Sequence, residues 1–86
     1  MMNKEELTEN LVNYVASILR PYKAIRKADG LVSFRHLDNA EDRCYGAVDF
    51  FLDILNSNEE LTEEDEEEID NYWTFIQSEF KALRGE

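Results

Sequence analysis

Apolar residues recur along this chain in three stripes of helical period. Leu7, Leu11, Val15, Ile18, Leu19 and Tyr22 follow one another at three- and four-residue steps, the mark of a helix with one buried face. Asn3 and Glu6 stand upstream at capping-box spacing, the Asn side chain accepting a helix-terminal N–H and the Glu reaching back. Pro21 disfavours helical geometry at Arg20, so the first helix is predicted over about Lys4 to Leu19. Tyr14 flanks its stripe.

The second stripe is Ala40, Cys44, Ala47, Val48, Phe51, Leu52 and Leu55. Asp38 and Glu41 repeat the capping-box spacing before it, and Asn56-Ser57-Asn58 closes it. Gly46 lies inside and costs about 1 kcal/mol relative to Ala. The third stripe is Tyr72, Trp73, Ile76, Phe80 and Leu83. Thr62 is the candidate N-cap of its helix, Glu63, Glu64 and Asp65 fill the first turn, Lys81 and Arg84 the last, and Gly85 follows. Acid at the start and base at the end both suit the helix dipole.

Residues 22–37 read least clearly, and Leu31 to Leu37 carry no helical stripe. Asp29-Gly30 is a short hairpin signal, because both central positions of a type I′ turn need positive φ. A two-residue turn there places Ile25 opposite Phe34 and Lys27 opposite Val32. The competing arrangement is a short helix from Tyr22 to Ala28 closed by Gly30. The β-branched and aromatic residues of Leu31 to Leu37 favour the hairpin. The predicted fold is therefore mainly α: three amphipathic helices around one core, with a two-stranded β-hairpin between the first and second. No linker or repeat divides residues 1–86, which read as a single small domain.

Charge changes the picture most. The 86 residues carry a net charge of -11, and nine carboxylates with no base lie between Glu59 and Asp70. Glu60, Glu64 and Glu68, and Glu63 with Glu67, stand four apart, where like charges cost a helix about 0.2 to 0.5 kcal/mol per pair. From Arg20 to His36 the balance reverses, with Arg20, Lys23, Arg26, Lys27 and Arg35 against Asp29 alone. The chain is thus expected to carry a basic region and an acidic helix start.

Catalytic and metal chemistry find little support. His36 is the only histidine and stands near no Ser or Cys at triad spacing. Cys44 falls on an apolar stripe, which predicts a buried, protonated thiol. One Cys and one His cannot build a structural zinc site. Leu61-Thr62-Glu63-Glu64-Asp65 resembles the opening of calcium-sensor helices, but the twelve-residue calcium loop is missing and capping explains the match. The expectation is a non-enzymatic chain without cofactor or metal.

A single cysteine, the lack of a charged-then-apolar leader and of any run of ~18 apolar residues point to a reducing, cytoplasmic setting away from membranes. The expected role is protein binding through the acidic face of Glu63, Glu64, Glu66, Glu67 and Asp70, with Tyr72 or Tyr14 as a desolvated anchor. Such a block can mimic a phosphate backbone on a basic, nucleic-acid-binding partner. Small phage inhibitors and toxin-immunity proteins share this size, charge and helix content, a likeness of general character only. The alternative is direct nucleic-acid contact through the basic patch of Lys23, Arg26, Lys27 and Arg35. Three short helices can also leave aromatic surface for a homodimer.

Overall fold

Three helices build the chain: α1 (Lys4–Lys27), α2 (Phe34–Ser57) and α3 (Glu63–Arg84). The computed structural model describes residues 4–57 and 62–85. Each predicted stripe faces inward. Leu11, Val15, Ile18 and Leu19 of α1 meet Ala40, Cys44, Val48, Phe51 and Leu55 of α2 and Ile69, Ile76, Phe80 and Leu83 of α3. Ion pairs fix the directions. Lys4 meets Asp65 and Lys23 meets Glu79, so α1 and α3 run parallel; Arg84 meets Asp38, so α2 runs against them. The bundle is 45 Å long and about half as wide, which keeps its two ends far apart.

The hairpin expected over residues 22–37 is absent, and the described residues contain no strand. α1 continues through Pro21 for nearly two further turns. Proline there forfeits one helical hydrogen bond, and the continuing helix packs Tyr22 against the core. The helix then closes on itself: the Gly30 N–H donates to the Ile25 carbonyl at 2.8 Å and the Asp29 N–H to Arg26 at 3.0 Å. This is the Schellman pattern, with Asp29 in the left-handed conformation at φ 59°. Gly30 is required for room, since a Cβ would sit 2.6 Å from Ile25 Cγ2 and 2.9 Å from its carbonyl oxygen. The Asp-Gly pair therefore ends a helix, as in the arrangement closed by Gly30.

The start of α2 also moves. Asp38 and Glu41 do not cap it; they lie a turn or more inside. Ser33 takes that place, its Oγ accepting the His36 N–H at 3.2 Å and its carbonyl accepting the Leu37 N–H. The extra turn buries Leu37 completely. At α3 the expectation holds in full. Thr62 and Asp65 form a reciprocal capping box, and Gly85 at φ 84° closes the far end. Asn3, the proposed first cap, and Asn58 lie outside the described residues.

No helix of the described residues is long and apolar enough to cross a membrane.

Candidate functional site

Parallel α1 and α3 with antiparallel α2 sort the charges of the chain by end. Among the described residues, the half holding the starts of α1 and α3 and the end of α2 carries twelve carboxylates and one base, Lys4. The other half carries eight bases and five carboxylates. The sequence-level contrast between a basic stretch and an acidic block thus becomes a charge gradient along the long axis.

At the acidic end, one member of the block turns inward. Asp65 is only 2% exposed. Its carboxylate pairs with Lys4, which holds it below the usual Asp range against the opposing effect of burial; the Thr62 N–H and hydroxyl also favour the charged form. Glu68 accepts the Tyr72 hydroxyl at 2.8 Å. Glu63, Glu64, Glu66, Glu67 and Asp70 are exposed; Glu64 feels the Lys4 ammonium electrostatically, without a direct ion pair. Tyr72 is half-buried, its ring edge-on to Phe51 with the ring centres 6.4 Å apart. Burial and then the Glu68 bond push its hydroxyl up to about 12. Tyr14 is the more exposed of the two anchor tyrosines.

The opposite end gathers the basic patch at the turn between α1 and α2. Lys23 is engaged with Glu79 at 3.1 Å. Arg26, Lys27 and Arg35 are exposed, and the same end of the bundle holds Leu31, 93% exposed, and Phe34, 61% exposed. Arg84 is held by Asp38 and Glu41, both at 2.6 Å, which makes it a seam between α3 and α2. Glu41 also accepts the Tyr45 hydroxyl, and Tyr45 stacks on Trp73 at 4.4 Å.

Of the residues with intrinsic reactivity, Cys44 is buried, and its thiol is pushed up to about 11 by that burial. His36 is exposed in the first turn of α2, two turns away. The described residues bring no three His, Cys, Asp or Glu side chains together in a metal-binding group.

Two apolar grooves flank α1, and neither follows from a stripe alone. A groove of about 580 Å³ separates α1 from α3, with Val12, Ala16 and Phe75 on its walls and Val15, Val48 and Ile76 beneath. A second, of about 520 Å³, lies between α1 and α2, where Tyr14, Gly46 and Phe50 line it. Phe50 is 66% exposed. The signal for both was the adjacent pairs Phe50-Phe51 and Phe75-Ile76. Neighbours on a helix are a hundred degrees apart, and here Phe51 and Ile76 enter the core while Phe50 and Phe75 stay exposed.

No family model matches the chain, and no curated protein or solved structure matches it either.

Proposed function

We propose that this protein is a non-enzymatic binding module that engages a basic surface of a partner protein through the acidic end of the bundle. What carries the reading is the contrast within the block. Asp65 and Glu68 are committed to internal partners, whereas Glu63, Glu64, Glu66, Glu67 and Asp70 stand exposed, Glu64 alone lying within the field of Lys4. Five like charges over two turns repel one another, and a basic partner relieves that repulsion while being steered in from a distance. An inhibitor or immunity-type regulator that covers the nucleic-acid channel of its target fits this chemistry. Capture from a lysate at low salt tests it: partners held by the native protein should be lost when Glu64, Glu67 and Asp70 are all changed to Lys. Equal capture by that variant contradicts it.

The basic end supports a second reading, contact with single-stranded nucleic acid. Here Phe34 stands exposed at the end of the bundle that also carries Arg26, Lys27 and Arg35, so a stacking ring shares that end with cations that meet phosphates. A gel shift at low salt, abolished by Arg26→Glu with Lys27→Glu, is its expected result. No shift with DNA or RNA removes it.

A further inference from the structure

We infer that the groove between α1 and α3 receives one amphipathic helix of the partner, basic toward the acidic end of the bundle. The inference rests on the protein-binding reading above and names the surface that supplies its apolar contact.

The groove has the dimensions and lining of a helix seat. Its α1 wall runs from Leu11 to Lys23, about 18 Å or some three turns of helix. The other wall is Asn71, Tyr72 and Phe75 of α3, and the floor reaches core residues Val15, Val48 and Ile76. A helix laid there completes a four-helix arrangement, its apolar residues at i, i+3, i+4 and i+7 covering Val12, Ala16 and Phe75.

Charge identifies the occupant. One three- or four-residue step before Val12 on α1 stands Glu9, and the same steps back from Asn71 on α3 reach Glu67 and then Glu64. The groove therefore leaves the apolar zone between exposed carboxylates on both walls, which outnumber Lys4, the base held there by Asp65. Its other end holds Arg20 and Lys23, and Lys23 is already paired with Glu79. A second copy of this chain, turned end for end, would bring its eight bases against the carboxylates together with five acids of its own, a net of only +3 among the described residues. It would also add a further -11 to the assembly. A Lys- and Arg-bearing helix neutralises the rim, and its apolar face fills the seat.

The test uses two synthetic peptides of about five turns with one composition of Leu and Lys. In one, leucines form a single helical stripe with lysines gathered at one end; in the other, the order is scrambled. Binding is read by fluorescence anisotropy at low salt, with NMR shifts of the methyls of Val12 and Ala16. The striped peptide should bind at least about tenfold tighter than the scrambled one and move those methyls. Ala16→Trp, which plugs the groove, and Val12→Asp on its rim should each weaken it about tenfold, with helical circular dichroism retained. Val12→Asp is the decisive variant, because the added negative charge would strengthen a merely electrostatic attraction. Equal binding of both peptides, lost on Glu64→Lys with Glu67→Lys yet indifferent to Ala16→Trp and Val12→Asp, overturns the groove inference and leaves the acidic-face reading standing. Binding of neither peptide overturns it as well. So does sedimentation of the native protein as a dimer that Val12→Asp dissociates, since the seat then belongs to a second copy.

Discussion

The ammonium of Lys4 and the carboxylate of Asp65 tie the first turn of α1 to the first turn of α3. The pair joins two helices that a groove separates farther along, and among the described residues it uses the one buried carboxylate of the acidic block. Asp65 serves its own helix at the same time, accepting the Thr62 N–H at 3.1 Å.

That arrangement dictates a pH dependence. The folded pKa of Asp65 is depressed, so its contribution is present above the unfolded value of about 3.9 and is lost as pH falls through the lower folded value. Asp65→Asn should therefore be less stable than the native protein in urea unfolding at neutral pH. The gap should narrow steadily in acid below the ordinary Asp range. A gap that stays constant through that range would show that Asp65 acts by packing alone.

Thr62→Ala removes the other half of the capping box and should cost about 1 kcal/mol by the same urea measurement. Its effect should not vanish in acid, because the hydroxyl of Thr62 accepts from a backbone N–H at any pH.

Arg84→Met strips the seam between α3 and α2, leaving half-buried Glu41 with only the Tyr45 hydroxyl. The expected loss is about 2 kcal/mol. Pairing it with Glu41→Gln should recover part of that loss in a double-mutant cycle. Strict additivity would mean that the two groups do not interact in solution.

Two substitutions in α2 read its ends and its open face. Leu37→Ala should cost about 2 to 5 kcal/mol, because Leu37 is fully buried by the turn that Ser33 initiates. Gly46→Ala should instead stabilise by about 1 kcal/mol, since a Cβ there meets nothing within 4 Å. Thermal melts of both variants suffice; destabilisation by Gly46→Ala would mean that this face is more tightly packed than the open groove implies.

The fold was legible wherever a stripe, a cap and a stop agreed. α3 is the clearest case, with Thr62, the aromatic stripe and Gly85 all in their expected places. Over residues 22–37 the local signals serve two structures equally well. Asp-Gly supplies a left-handed residue and then a residue without a side chain, which suits a helix end as well as a hairpin. Pro21 weakens a helix by one bond, but packing of Tyr22 beyond it is a tertiary effect that no local rule contains. Asp38 and Glu41 have capping-box spacing because both face Arg84, more than forty residues away. At the acidic end, composition located the block but not its division. Asp65 could have been singled out, since it stands four residues before Ile69 on the buried stripe. The grooves beside α1 depend on how closely the helices approach, which stripes do not specify.

The most direct measurement is the salt dependence of association between this protein and a captured partner, with native Glu64, Glu67 and Asp70 and with all three changed to Lys. Steering by the acidic face predicts an association rate that falls steeply as salt rises toward ~1 M, where charges are screened beyond about 3 Å, and a slow, salt-insensitive rate for the variant. A rate unchanged by salt and identical in the two proteins would contradict it.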